Sequence, residues 1–350
     1  MDNLKKNFLD RLWDILCVTS VVGIWPRFIE PNLLFTSRHT IYIPNLPPAL
    51  EGLKVLHLTD LHTNKFLSPR FLNRTKKKCL ALSPDLILFS GDLLTYSILT
   101  KEDLLSSFFK DLHPPLGIFA ALGNHDYGTY VSLDKTGQPV CAPAPLHPVL
   151  QGLCRLFGGS SHKKERASSP LPFHPALMAF YKKNDIQVLH NETVQIGRGG
   201  SVLNLTGLGD IMAGHLRPHD AFKKWDVRYP GIVFGHSPDC YAHIRSYPGD
   251  LCLFGHTHGG GIFLPFCWKR ITPLRDTSLR SGLHIRDGKT LFISRGLSAT
   301  FPFRLFTPPQ LGFFTLKRGG PARHPVLAEE LIAESIQSVG LATSRVSSDE

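Results

Sequence analysis

With 350 residues, 39.0 kDa and 42% apolar against 19% charged side chains, the chain exceeds one minimal domain and can bury a sizeable core, which excludes a disordered protein. Its formal net charge of +11 points to anionic partners, whether nucleic acid, anionic lipid or phosphorylated small molecules. The cysteines (Cys17, Cys79, Cys141, Cys154, Cys240, Cys252, Cys267) are odd in number, widely spaced and never arranged as C-x-x-C. That argues against a disulfide framework and a structural zinc site, and leaves a reducing compartment as the default.

At the N-terminus Leu4, Phe8, Leu12 and Ile15/Leu16 recur at helical spacing with Lys5, Lys6 and Arg11 between them, and an apolar run from Ile15 to Trp25 follows until Pro26 ends it. The run falls short of the roughly 18 to 20 apolar residues that span a bilayer. An interfacial anchor, a core helix and a signal peptide are the open readings. Acidic Asp2, Asp10 and Asp14, and the lack of a small-residue cleavage site at Ile24-Trp25-Pro26, weigh against the signal peptide. Residues 1–30 are therefore expected to be an amphipathic membrane-interface anchor. Because it is separate in sequence from the residues that carry chemistry, removing residues 1–28 is expected to spare turnover.

An alternating run at Thr36–Ile43 precedes a region, residues 50–300, in which short apolar runs alternate with amphipathic stretches, the pattern of an α/β sandwich. The runs are Val55–Thr59, Leu86–Ser90, Ile118–Leu122, Val202–Thr206, Ile232–Phe234, Leu251–Phe254 and Leu291–Ser294. Most are too uniformly apolar for surface strands. Helices are predicted over Pro69–Leu82 and through Leu104, Leu105, Phe108, Phe109 and Leu112. Residues 129–183 break the rhythm, with seven basic residues against two acidic ones and bulky Leu146, Leu153, Phe157 and Phe180 among them. They read either as a lid over an amphiphilic substrate or as a mobile loop with a tethering helix near Pro175–Lys183. The expected organisation is the anchor at 1–30, one catalytic domain at 31–318 carrying this insertion, and a polar tail at 319–350.

The strongest signal lies at the ends of the apolar runs. Val55–Thr59 leads into Asp60-Leu61-His62, Leu86–Ser90 into Gly91-Asp92, and Ile118–Leu122 into Gly123-Asn124-His125-Asp126. Ile232–Phe234 leads into Gly235-His236, and Leu251–Phe254 into Gly255-His256-Thr257-His258. Ligands of open α/β sheets bind at the carboxyl ends of strands, so these side chains should converge. Carboxylate, amide and imidazole donors without a thiolate suit Mn²⁺, Fe or Zn²⁺ in a two-metal site. Asp126 could orient His125 or cap a helix.

The five blocks, D-x-H, G-D, G-N-H-D, G-H and G-H-T-H, resemble the calcineurin-like metallophosphoesterase superfamily over residues 50–300. The resemblance implies a sandwich of two mixed β-sheets flanked by helices and a pair of divalent ions, Mn²⁺ before Fe or Zn²⁺. It places Asp60, His62 and His258 on one ion, Asn124, His236 and His256 on the other, and Asp92 between both. His125 takes the position beside the substrate, where it protonates the leaving oxygen. The flanks Phe28-Ile29-Glu30-Pro31-Asn32 and Ser294-Arg295-Gly296-Leu297 resemble a membrane-associated branch. Within it lie enzymes that hydrolyse UDP-2,3-diacylglucosamine to UMP and lipid X in lipid A biosynthesis. The partners implied are a nucleotide-linked lipid substrate and the anionic surface of the inner membrane on its cytoplasmic side, with no nucleic acid. A nucleotide phosphodiesterase, a nuclease or a non-catalytic scaffold of the same fold are the alternatives.

Overall fold

The apolar runs form two six-stranded sheets packed face to face. The computed structural model describes residues 18, 20–133, 138–141, 165–166, 170–261 and 274–319. Strands β1 (Phe35–Ile43), β2 (Lys54–Leu58), β3 (Leu86–Ser90) and β4 (Ile118–Ala121) belong to the first sheet. A small three-stranded sheet follows, made of β5 (Val131–Leu133), β6 (Pro139–Cys141) and β7 (Glu165–Arg166). Next come β8 (Ile186–Val188), β9 (Glu192–Arg198), β10 (Ser201–Gly207), β11 (Gly231–Phe234) and β12 (Leu251–Phe254). The chain closes with β13 (Gly282–Arg286), β14 (Lys289–Ile293) and β15 (Gln310–Arg318). The first sheet has the order β1-β15-β2-β3-β4-β8 and the second β13-β14-β12-β11-β10-β9. Both are mixed: β2, β3, β4 and β8 run parallel, as do β10, β11, β12 and β14, while β15–β2, β9–β10 and β13–β14 are antiparallel pairs.

Strand alternation explains why these runs are apolar at every position. Leu86 and Leu88 enter the core between the sheets with Ile232, Phe234, Leu251 and Leu253, while Ile87 and Phe89 face the opposite way, toward the helices. In the second sheet Val233, Cys252 and Phe254 face outward onto Tyr241 and Ile244. A strand covered on both faces has no position where a polar residue would be solvated.

The helices over the first sheet match their predicted spans. Helix α1 (Pro69–Leu82) starts with proline at its first turn, ends at Ser83 in the left-handed region (φ 45°), and buries Phe71, Leu72, Thr75, Cys79 and Leu82. Helix α2 (Glu102–Lys110) carries Glu102 and Asp103 in its first turn and Lys110 in its last, as the helix dipole favours. Helix α3 (Pro175–Lys183) occupies the predicted tether but belongs to the core: Leu177, Phe180 and Tyr181 are buried, and Phe180 meets Phe109 of α2 edge to face at 6.2 Å. A lid that includes Phe180 is thereby corrected, since the ring is committed to packing against α2 and cannot line a groove. The other bulky residues named for a lid, Leu146, Leu153 and Phe157, lie outside the described residues. The polar tail beyond Gly319 also lies outside them. Among the described residues no helix is long and apolar enough to cross a membrane, and Cys79, Cys240 and Cys252 are free thiols.

Phe180→Ala is expected to cost about 3–5 kcal/mol of stability, the usual range for emptying a buried aromatic site. Thermal or urea unfolding measures it; a loss below about 1 kcal/mol would mean that the ring is not part of the core.

Candidate metal centre

The loops that leave β2 and β3 run side by side and bring the first three candidate ligands together. Asp60 N–H donates to Gly91 O (3.0 Å), His62 N–H to Asp92 O (3.0 Å) and Thr63 N–H to Leu93 O (2.9 Å). The second sheet is joined to this pair: His256 N–H donates to Asp60 Oδ2 (3.0 Å), and Gly255 N–H to His236 O (2.8 Å). Asp60, His62, Asp92, His256 and His258 all adopt left-handed φ values, between 46° and 68°. Non-glycine residues hold that conformation only when their surroundings fix it, as at functional sites. Two of the glycines before the ligands serve close approach rather than a turn. A Cβ on Gly123 would collide with the Asp92 carboxylate, and one on Gly255 with Thr59 Oγ1 and Asp60 Oδ2.

Six of the seven residues of the expected ligand set, Asp60, His62, Asp92, His236, His256 and His258, lie in this one largely buried cluster, and Asn124 is buried next to His125, whose N–H donates to Asp92. His62 Nε2 stands 3.4 Å from Asp92 Oδ2 and 3.8 Å from Asp60 Oδ1; His258 Nε2 stands 3.5 Å from Asp60 Oδ1 and 3.2 Å from His62 Nε2. On the other side of Asp92, His236 Nε2 is 3.2 Å from Asp92 Oδ2 and 3.2 Å from His256 Nδ1. Asp92 Oδ2 thus borders both groups. Ligand atoms around one ion at bonds of about 2.1 Å sit roughly 3 to 3.5 Å apart, so these spacings would suit a shared cation.

Three further observations fit the group to divalent cations. Asp60 Oδ1 and Asn124 Oδ1 are buried acceptors without a hydrogen-bond partner, a costly arrangement that a cation would relieve. His62, His236 and His258 each donate Nδ1–H to a main-chain carbonyl, at Leu94 (3.1 Å), Ser90 (2.8 Å) and Ser298 (3.0 Å), so each turns Nε2 inward. Burial pulls the imidazoles of His62 and His258 below their ordinary value, which keeps their Nε2 lone pairs available at neutral pH. For Asp92 and His236 burial opposes ionisation, yet their mutual attraction wins. Asp92 is held well below the usual carboxylate range and His236 is lifted to about 10.

His125 is wired the opposite way. Its Nδ1 accepts the Tyr96 N–H (2.8 Å), so the neutral ring carries its proton on Nε2, which faces Asp92 Oδ2 at 3.9 Å. Burial keeps the ring neutral by drawing its pKa well below the ordinary value. A ring that presents N–H rather than a lone pair is built to hold or give a proton. Tyr130 lies against it with ring centroids 4.3 Å apart, and Tyr96 flanks both rings.

Sequence reasoning did not find the supports. Asp126 neither orients His125 nor caps a helix: its carboxylate accepts the N–H groups of Asp92 (2.7 Å), Gly123 (3.0 Å) and Leu94 (2.9 Å), stapling the second and third ligand loops together. Arg304, 1% exposed, donates to the carbonyls of Arg295 (2.8 Å), Thr307 (2.8 Å), Gly296 (3.4 Å) and Ser298. Ser298 in turn accepts from His258 Nδ1 and donates its N–H to Asp60 O. The segment before β1 closes this cluster. Pro26 O accepts the Arg304 N–H (2.8 Å), and Glu30, 2% exposed, accepts from Trp25 Nε1 (2.8 Å) and from the N–H groups of Phe306 (2.9 Å) and Thr307. The anchor is therefore not independent of the chemistry. Distance in sequence concealed a contact that is two residues removed from a candidate ligand.

Residues 53–260 match the family model of calcineurin-like phosphoesterases, and the chain belongs to this family of metal-dependent phosphoesterases. It is 33% identical over 310 residues to the UDP-2,3-diacylglucosamine pyrophosphatase LpxG of Chlamydia muridarum, covering 85% of this chain and 93% of that protein. The LpxG of Chlamydia trachomatis serovar D is 32% identical over 86% of this chain and 94% of its own length. Phosphodiesterase YaeI of Escherichia coli K12 is 26% identical, covering 89% and 98%.

Removing residues 1–28 takes away Trp25 and the Pro26 carbonyl. The truncated protein is therefore expected to melt at lower temperature and to turn over a soluble diester several-fold more slowly than the full chain. Identical melting curves and rates would mean that the segment is merely appended.

Proposed function

We propose that the chain hydrolyses the phosphoric anhydride of UDP-2,3-diacylglucosamine at the α-phosphorus, releasing UMP and 2,3-diacylglucosamine 1-phosphate (lipid X), as a step of lipid A biosynthesis. The reaction type rests on one observation: carboxylate and imidazole donors gather around Asp92, and His125, whose Nδ1 is taken by the Tyr96 N–H, keeps its proton on Nε2 toward it. The choice of anhydride rests on the two LpxG relatives. Asp60, His62, Asp92 and His258 would hold one ion, and Asp92, Asn124, His236 and His256 the other. Bound divalent ions, Mn²⁺ before Fe or Zn²⁺ given a mixed oxygen and imidazole set without thiolate, would neutralise the phosphate and acidify water there. His125, fixed by Tyr96 and Tyr130, holds the proton at Nε2 that the departing phosphate oxygen takes up. No side chain needs to become covalently attached to the substrate.

The same reading places the protein peripherally on the inner membrane at its cytoplasmic side. Val18, Ile24, Trp25, Phe28 and Ile29 are exposed on the segment that follows the N-terminal stretch of helical apolar spacing, an apolar strip suited to an interface. A nucleotide phosphodiesterase is the second reading, favoured by the likeness to YaeI. The complete donor set weighs against a scaffold that has lost catalysis.

Incubation of the Mn²⁺-loaded protein with UDP-2,3-diacylglucosamine should yield UMP; turnover of bis(p-nitrophenyl) phosphate without UMP formation would favour the phosphodiesterase. Asp92→Ala should lose both bound metal and activity, whereas His125→Ala should keep its metal and lose roughly 10² to 10⁴ in rate. Metal analysis separates the two, and a metal-free His125→Ala protein would overturn the division of roles. Full activity after exhaustive chelation would sink the two-metal mechanism altogether.

A further inference from the structure

We propose that the groove lined by Arg27, Phe28, Phe66, Phe71, Ala299 and Pro302 receives an acyl chain of the substrate, an assignment that rests on the lipid anhydride reading above. The groove encloses about 150 Å³ between the N-terminal segment, the start of α1 and the loop 297–302. A cavity of about that size is known to hold a six-carbon hydrocarbon such as benzene. A longer chain would continue outward over Phe28 and Ile24, which are 61% and 53% exposed. The walls are mostly aromatic and aliphatic, with Phe66 and Phe301 edge to face at 5.5 Å. Of the two arginines in the lining, Arg304 is buried and bound to main-chain carbonyls, while Arg27 spreads its guanidinium over Phe28 (4.8 Å), Phe301 (5.3 Å) and Phe66 (5.4 Å). An apolar slot with a positive rim complements a molecule that is anionic at one end and hydrocarbon at the other.

Continuity with the metal centre argues for the substrate's own chain as occupant. Ser298 lines the groove, and its carbonyl receives His258 Nδ1–H. Asn64, two residues beyond His62, donates to the carbonyls of Ala299 (3.2 Å) and Thr300 (3.4 Å). The slot is therefore held by the loops that present Asp60, His62 and His258. A second depression, around Trp225 and Tyr229, lies at the amino ends of β10 and β11 beside Lys223 and Lys224, at the far end of the strands from the ligands. Only the first groove neighbours the place where a diphosphate would be cleaved.

The test compares kcat/KM for UDP-2,3-diacylglucosamines with acyl chains of about eight and about two carbons; each buried methylene is worth roughly fourfold. Ser68→Trp fills the groove, and Ser68 makes no side-chain capping bond to α1. Phe28→Asp places a charge at the rim on a side chain exposed enough for the fold to tolerate the change. The ratio of long-chain to short-chain kcat/KM should fall at least about tenfold in both variants. An unchanged ratio in both, with UMP still released, would overturn the groove and leave the proposed reaction standing. A chain lacking residues 1–17 whose ratio rises sharply would identify the chain's own N-terminus as the occupant and overturn the assignment. No UMP from either substrate, with bis(p-nitrophenyl) phosphate still cleaved, would overturn the lipid reading and the groove with it.

Discussion

The Asp92 carboxylate is the point on which the rest of the site depends. It is buried among four imidazoles and within reach of both donor groups, where an isolated charge would cost several kcal/mol. The fold meets that cost with neighbouring imidazoles, His236 first, and with main-chain hydrogen bonds rather than with solvent. The Asp126 carboxylate holds the Asp92 N–H, the His125 N–H donates to Asp92 Oδ1 (2.9 Å), and Gly123 leaves the carboxylate room. Each contact constrains a different loop, so moving one carboxylate disturbs the ends of β2, β3 and β4 together. A site assembled from two sheets needs such a shared element, because neither sheet alone supplies a full ligand set.

Much of this was legible in the sequence. Strands buried on both faces read as unbroken apolar runs, and the residues that terminate them are chemically conspicuous. Asp60, His62, Asp92, Asn124, His125, His236, His256 and His258 all appear where the runs stop. The edge strands β9 and β13 escaped because their exposed faces carry mixed residues such as Gln195, Arg198 and His284. β15 escaped for a different reason. Its run Leu311-Gly312-Phe313-Phe314-Thr315-Leu316 follows a proline-rich stretch and lies beyond the last recognised motif, so nothing local marked it as a central strand. Supports such as Asp126 and Arg304 act through main-chain hydrogen bonds, which have no signature in residue spacing. Phe180 misled because bulky apolar residues in a basic segment look alike whether they face a ligand or, as this ring does, a neighbouring helix.

The N-terminal segment illustrates how one stretch can serve two environments. Its outward residues, Ile24 and Phe28, are apolar and uncovered, while Glu30 turns inward and is sealed beneath Phe306 and Thr307. A segment that is apolar and uncovered on one face and holds the loop carrying Ser298 through the other cannot shift on one side without being felt on the other. The buried guanidinium of Arg304 transmits the contact through four carbonyls, and a lysine there could not reach them all in the same plane.

The placement of β15 has a consequence for how the molecule is made. This strand lies between β1 and β2, parallel to the first and antiparallel to the second, so the first sheet stays open until the chain has been synthesised through Arg318. β1 and the segment before it emerge early and must wait for a partner almost three hundred residues away, a high contact order that slows folding. During that interval the unpaired edges of β1 and β2 and the apolar N-terminal strip are exposed together on the ribosome. Production of the protein should therefore depend strongly on whatever shields nascent chains, and the metal ligands on the two sheets can take up their final positions only after release of the C-terminal strand.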